Sequence, residues 1–193
     1  MKTGADDFVT IVSGLPRSGT SLMMQMLAAG GMPVVSDGLR TPDADNPRGY
    51  FELEAVKKLK ANSAWVTDAR GHAVKVISML LCELPADCEY RVIFMLRDMG
   101  EILSSQREML KHRGTAGDAT GDAAMRLHFE SHLKKVCKWL VKRKNFRVHF
   151  CEYQRLLREA AMEVRGVADF LGGSLDEPAM VRTIDPALHR NRA

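Results

Sequence analysis

The sequence lacks any apolar run approaching the roughly 20 residues that a helix needs to cross a bilayer. Its first ten residues, MKTGADDFVT, also lack the apolar core of a secretory signal. The cysteines form neither a CxxC pair nor a cluster with histidine, which excludes the usual zinc-site patterns. They are Cys82, Cys88, Cys137 and Cys151. We therefore expect a soluble, cytoplasmic protein with reduced thiols, no membrane span and no metal ion.

The sequence also has little excess charge. Its 28 basic and 24 acidic residues leave a formal net charge of +4, which permits an anionic ligand but does not by itself indicate nucleic acid binding. Acidic residues are interleaved with the basic ones, and no internal repeat or low-complexity tract marks a boundary. We expect no nucleic acid partner and a single domain over residues 1–193.

Short apolar and β-branched runs alternate with helical patterns along the chain. The runs predict strands at 8–14, 32–35, 73–78, 90–97 and 146–151. The helical patterns cover 20–29, 52–62, 100–112, about 122–144, and 160–171. Because nearly continuous apolar strands are typical of sheets buried on both faces, the order predicts a three-layer α/β/α fold with a mostly parallel central sheet.

The segment GLPRSGTS, between the first predicted strand and helix, has the layout of a phosphate-binding loop. Gly14 and Gly19 bracket a turn whose backbone N–H groups can surround an anion, and the next helix adds its positive N-terminus. The signature GxxxxGK[ST] has lysine where this chain has Thr20. Arg17 supplies the positive charge instead, and Thr20 and Ser21 add hydroxyl donors.

A second segment, VIFMLRDMGEILSSQ, predicts a strand that ends at Arg97-Asp98 and a helix that carries Ser104 and Ser105. With PRSGTS upstream, the chain here resembles the sulfotransferases that use 3′-phosphoadenosine 5′-phosphosulfate (PAPS). Residues 167–180 and 185–192 also resemble the C-terminal part of small bacterial members. The resemblance implies a P-loop nucleoside triphosphate hydrolase-like fold.

The resemblance also implies a set of donor-binding residues. In that family the loop holds the 5′-phosphosulfate of PAPS, and the arginine and serine eight residues apart hold its 3′-phosphate. The matching residues here are Pro16, Arg17, Ser18, Gly19, Thr20, Ser21, Arg97 and Ser105. The alternatives are a strand-end Arg97 that pairs with Asp98 or another neighbour, and an ordinary surface serine at position 105.

Sulfuryl transfer needs a base for the acceptor and positive groups that stabilise developing negative charge, whereas the donor itself carries the reactive group. Arg17 is the first candidate for charge stabilisation. Lys75 is the second, because it lies in the apolar run AVKVIS and the family often has a lysine in this strand. A lysine that only reaches out to solvent from an edge is the alternative.

The candidate base is Glu52. Part of the family has a histidine two residues after the strand lysine, but this chain has Ile77 there. Other branches use a glutamate beyond the first helix, and this chain offers Glu52 and Glu54 there. Glu52 is preferred because it follows the irregular loop DADNPRGYF, where a helix is predicted to begin. A structural acid at a helix start is the alternative. His72 and Asp37 are reserve candidates.

The acceptor is predicted only as a small molecule or carbohydrate, and the oligomeric state is left open. Residues 112–122 form a candidate lid, and Tyr50, Phe51 and Trp65 are candidate acceptor contacts, although a core position is the favoured reading for Trp65. The terminal His189, Arg190 and Arg192 are candidates for closing over the 3′-phosphate.

Two other functions stay open at the level of sequence. One is a P-loop kinase or nucleotide hydrolase, in which Asp98 would hold magnesium. The other is a non-catalytic nucleotide-binding module on the same fold, suggested by the missing histidine.

Overall fold

A computed structural model describes residues 7–43, 46–112, 114 and 119–185 of the chain. Its five strands form one parallel sheet in the order β2-β3-β1-β4-β5. The strands are β1 (Phe8–Gly14), β2 (Val34–Val35), β3 (Ala73–Lys75), β4 (Glu89–Leu96) and β5 (Phe146–Glu152). The central strand β1 therefore has β3 on one side and β4 on the other.

Helices cover both faces of the sheet, so the predicted three-layer α/β/α architecture is confirmed. They are α1 (Thr20–Ala29), α2 (Met99–His112), α3 (Ala119–Leu140), α4 (Tyr153–Arg158), α5 (Ala160–Leu171) and α6 (Glu177–Arg182). Strand β1 is buried on both faces: Val9 and Ile11 pack towards α3, and Phe8 and Val12 pack towards α1 and α5. This two-sided burial is why the strand sequences are almost continuously apolar.

The prediction of a helix over residues 52–62 is wrong. Leu53 is extended, and only a short 3-10 helix, Glu54–Lys58, follows it. The apolar residues Leu53, Val56 and Leu59 recur every three positions and pack into the core. A three-residue repeat matches the 3-10 helix, whose side chains eclipse every third residue, better than the 3.6-residue period of an α-helix.

Two predicted strands are shorter than expected. Strand β2 keeps only its last two residues, and β3 ends at Lys75, although the Val76 N–H still donates to the Val12 carbonyl oxygen at 3.0 Å. The backbone then turns into a 3-10 helix, Ser78–Glu83, which the apolar pattern did not predict. Another 3-10 helix covers Ala64–Ala69.

The candidate lid at 112–122 falls partly outside the described residues. Its described ends belong to helices, because His112 closes α2 and residues 119–122 begin α3. The terminal candidates His189, Arg190 and Arg192 also lie outside the described residues. Within the described ranges, none of the helices combines the length and the apolar character that a bilayer crossing requires.

Candidate functional site

A cavity of about 630 Å³ opens above the carboxyl edge of the sheet. The chain runs from β1 to β2 and β3 on one side and then crosses to β4 on the other. In open parallel sheets, ligands bind at such a reversal of strand order, because the loops on either side diverge and leave a crevice. The cavity is lined by the loop after β1, the residues that follow β3, and one face of α2.

The loop after β1 can approach its neighbours only because it contains glycine at two positions. A methyl group on Gly14 would lie 2.4 Å from Ser18 Oγ and 2.7 Å from the Met95 carbonyl oxygen. One on Gly19 would lie 2.5 Å from Cδ2 of the Tyr153 ring. Both glycines also have positive φ angles, 146° and 100°, which favour glycine. The loop is thus fixed against the ends of β4 and β5.

The loop and the start of α1 fit an anionic group. Ser18 is buried, and its Oγ has no hydrogen-bond partner among the described residues. Helix α1 begins after Gly19, and no described side chain caps it. The first N–H groups of a helix have no partner within the helix, and its N-terminus carries partial positive charge. A phosphate or sulfate oxygen here would satisfy these donors.

Arg17 connects the two predicted donor-binding segments. Its Nε donates to Ser105 Oγ at 2.8 Å, and its carbonyl oxygen accepts from Arg97 Nη1 at 3.0 Å. Ser105 is only 2% exposed, so it is not a solvated helix serine. Arg17 has a φ of 69°, an uncommon conformation for a non-glycine residue. Residues 88 and 80 positions apart in sequence therefore meet at one end of the cavity.

Arg97 is held by a buried group of side chains. Its Nε donates to Glu101 Oε2 at 2.8 Å, and the two side chains are 8% and 1% exposed. Glu101 Oε1 also accepts from Gln154 Nε2 at 2.8 Å. The Arg97 guanidinium lies over the Tyr153 ring, 4.3 Å from its centroid. The neighbouring Asp98 accepts from the Glu101 backbone N–H and so begins α2, instead of pairing with Arg97.

Lys75 lies at the end of β3 and points into the same cavity. Its Nζ donates to the Tyr50 carbonyl oxygen, lies 3.4 Å from Ser21 Oγ and is 3.6 Å from Glu52 Oε1. Burial lowers the pKa of Lys75 to about 8, against the smaller raising effect of Glu52. Lys75 therefore does not reach out to solvent, which was the alternative interpretation of this residue.

Glu52 lines the cavity beside Lys75, but no helix begins at this residue. Its Oε1 accepts from Arg40 Nη1 at 2.7 Å. The Arg40 guanidinium also stacks 3.3 Å from the Tyr50 ring centroid, and the Tyr50 hydroxyl donates to Asp43 at 2.6 Å. The Glu52 carboxylate is therefore fixed between two cations.

Comparison with known proteins identifies the family. A family model for the sulfotransferase domain matches residues 7–188. The chain belongs to the sulfotransferase domain family. No curated protein sequence shows significant similarity to it.

Solved structures of sulfotransferases share the fold of this sulfotransferase domain. The sulfotransferase domain from the curacin biosynthetic pathway matches with a TM-score of 0.58 and 15% identity over 92% of this chain and 78% of that one. The sulfotransferase domain of the Synechococcus PCC 7002 olefin synthase matches with a TM-score of 0.52 and 14% identity, over 98% of this chain and 82% of that one. A sulfotransferase from Alicyclobacillus acidocaldarius matches with a TM-score of 0.50 and 14% identity, over 94% of this chain and 87% of that one.

The other candidates from the sequence differ in whether they line the cavity of the sulfotransferase domain. His72 and Asp37 are not among the described residues that line it. Asp37 instead accepts from the backbone N–H groups of Leu39 and Glu54. Trp65 packs against the core, which is the position that the sequence favours, whereas Tyr50 lines the cavity.

Sequence reasoning missed three groups of the sulfotransferase domain site. Arg40 lies in an irregular segment, and nothing local reveals its contact with Glu52. Glu101 follows Arg97 by four residues on a predicted helix, a spacing typical of an ion pair. Tyr153 comes directly after β5, and its position at the carboxyl end of a parallel strand would have placed it near the loop.

Proposed function

We propose that this sulfotransferase domain uses PAPS as its donor and transfers the sulfuryl group to a hydroxyl or amine of a small acceptor. The contact of Arg17 with Ser105 and Arg97 carries the proposal, because it joins both predicted phosphate-binding segments at one end of one cavity. Two arginines, a buried hydroxyl and the start of α1 suit a ligand with two separate anionic groups.

The proposed donor-binding residues divide between two segments of the chain. Pro16, Arg17, Ser18, Gly19, Thr20 and Ser21 form the loop and first helical turn for the 5′-phosphosulfate. Arg97 and Ser105, at the end of β4 and on α2, would hold the 3′-phosphate. Glu101, Gln154 and Tyr153 keep the Arg97 guanidinium in position, so its fork is oriented before the ligand arrives.

The proposed catalytic residues are Glu52, Lys75 and Arg17. When bound, PAPS would supply an activated sulfuryl group and a phosphate leaving group. Glu52 would take the proton of the acceptor hydroxyl, and Arg40 would hold the carboxylate in one orientation. Lys75, in hydrogen-bond reach of Ser21, and Arg17 would stabilise negative charge near the loop.

The family match favours sulfuryl transfer over the kinase or hydrolase alternative. Asp98, which that alternative would assign to magnesium, begins α2 by accepting from the Glu101 N–H. The non-catalytic module remains a distinct alternative, because it predicts donor binding without turnover.

Titration calorimetry with adenosine 3′,5′-bisphosphate tests the donor. We expect one binding site per chain, and the absence of heat in folded protein would contradict the proposal. Incubation with PAPS and a panel of alcohols, phenols and amines then tests catalysis. Bisphosphate binding with neither sulfuryl transfer nor PAPS hydrolysis would identify the non-catalytic module.

A further inference from the structure

Aliphatic side chains form the wall of the cavity beside the proposed catalytic residues. They are Leu53, Val56, Ile77, Leu80 and Met109. Leu53 follows Glu52 in the chain. Ile77 follows Lys75 by two residues, and both residues line the cavity. The apolar wall therefore begins where the acceptor has to lie for its hydroxyl to reach Glu52.

Much of this wall is held rigidly by the protein core. Val56 is 6% exposed and belongs to the main core cluster, and Leu53 and Leu80 pack against that cluster. Ile77, in contrast, is 36% exposed and faces the cavity. Met109 lies one helical turn beyond Ser105 on α2, so it continues the wall from the anion-binding end. A preformed apolar wall of this kind is typical of sites for apolar ligands.

Several polar groups beside the wall already have protein partners. Arg40 pairs with Glu52 and stacks on Tyr50, whose hydroxyl donates to Asp43. Lys57, which also lines the cavity, pairs with Glu54 at 2.7 Å. A sugar ring in this place would bury hydroxyl groups against aliphatic carbon, at about 1–3 kcal/mol for each unpaired group. An apolar body would incur no such cost against the five aliphatic side chains. Gln106 also lines the cavity, and its Oε1 has no hydrogen-bond partner among the described residues.

We infer, on the basis of the proposed function, that the acceptor is an alcohol with an apolar aliphatic or aromatic body, not a carbohydrate. Its single hydroxyl lies between Glu52 and the loop after β1. Its body lies against the wall of Leu53, Val56, Ile77, Leu80 and Met109. In the transfer, the acceptor oxygen forms a bond to sulfur as the bond from sulfur to the phosphate oxygen breaks. The acceptor proton passes to Glu52, and the phosphate oxygen keeps the electron pair.

Cyclohexylmethanol and methyl β-glucopyranoside are matched probes, because both have a six-membered ring that carries one hydroxymethyl group. Transfer of labelled sulfate from PAPS is measured for both. We expect kcat/KM to be at least about tenfold higher for cyclohexylmethanol, the order of discrimination that an apolar pocket provides. Equal rates, or a preference for the glucoside, would overturn the acceptor class.

If neither probe is sulfated, ligand-observed NMR with protein saturated by adenosine 3′,5′-bisphosphate decides the question. Cyclohexylmethanol should bind and the glucoside should not. The lack of cyclohexylmethanol binding would overturn the acceptor class, whereas lack of bisphosphate binding would overturn the proposed function itself.

Ile77→Asn locates the site. This variant should weaken the binding of cyclohexylmethanol by about tenfold, measured as KM in turnover or as Kd by NMR. Its affinity for the bisphosphate should be unchanged. Val141→Asn is the matched control, since Val141 is 88% exposed and is not among the residues lining the cavity. It should change neither value. Equal behaviour of the two variants would contradict the assignment of the wall.

Discussion

Replacing Glu101 by glutamine tests whether the arginine of the second donor segment is positioned by a buried ion pair. Glu101 and Arg97 are 1% and 8% exposed and lie 2.8 Å apart. The glutamine amide can still accept from Arg97 through its oxygen and donate to Gln154, whose own amide can rotate to accept. These two hydrogen bonds can therefore be retained, and Glu101→Gln removes chiefly the negative charge.

The expected loss of stability is large for an isosteric change. Removing one partner of a buried ion pair typically costs about 3–5 kcal/mol, because the other charge stays buried without compensation. We expect about 3 kcal/mol, the lower end, since hydrogen bonds remain. In a chain of this size, 1 kcal/mol shifts Tm by about 2–4 °C, so Tm should fall by about 6–12 °C.

Urea and thermal unfolding with and without adenosine 3′,5′-bisphosphate measure the effect. Saturating bisphosphate should restore part of the loss, because a phosphate beside Arg97 replaces the missing negative charge. Glu130→Gln is the control, since Arg126 and Glu130 form an i,i+4 pair with the same residue types on the exposed side of α3. Exposed pairs contribute about 0–1 kcal/mol. If Glu101→Gln is no more destabilising than this control, the reasoning about the buried pair is refuted.

Three further outcomes are expected. Arg17→Ala should weaken bisphosphate binding far more than Ser105→Ala. The hydroxyl lost in Ser105→Ala is worth about 1 kcal/mol, or about fivefold in affinity. Equal losses of affinity by calorimetry would contradict the roles assigned to Arg17 and Ser105. Glu52→Gln should bind bisphosphate normally and lose turnover, and unchanged kcat would place the base elsewhere. Because Lys75 loses its charge as pH rises through about 8, kcat should fall above that pH, and Lys75→Met should be slow and lack this fall.

The Lys75 pKa also predicts a dependence of stability on pH. In the unfolded chain lysine keeps its proton up to about 10.4. Between about pH 8 and that value the unfolded state therefore binds more protons than the native state, and the free energy of unfolding should rise with pH. Urea unfolding of wild type and Lys75→Met measures this, and equal slopes for the two would contradict the buried position.

Local sequence was sufficient where short-range physics decides the structure. Several elements lie within one residue of their predicted bounds. They are strands β1 and β4, helices α1 and α5, and the glycine loop. Two-sided burial makes such strands apolar. Helix α5 ends at residue 171 as predicted, and Gly172, with a φ of 111°, follows it. The segment around residues 52–62 was misread, because packing of its three-residue apolar repeat outweighs its helix propensity.

The sequence by itself determined the α/β layering, the conformation of the glycine loop and the family, because each is carried by short segments whose residues lie close together in the chain. Only the tertiary structure decided which distant groups meet. The contact of Arg17 with Ser105 and the position of Glu52 between Arg40 and Lys75 depend on how strands and irregular segments are placed side by side. The apolar wall of the cavity also depends on the tertiary structure, since its aliphatic residues resemble ordinary core residues in sequence and line a cavity with Glu52 only in the folded chain.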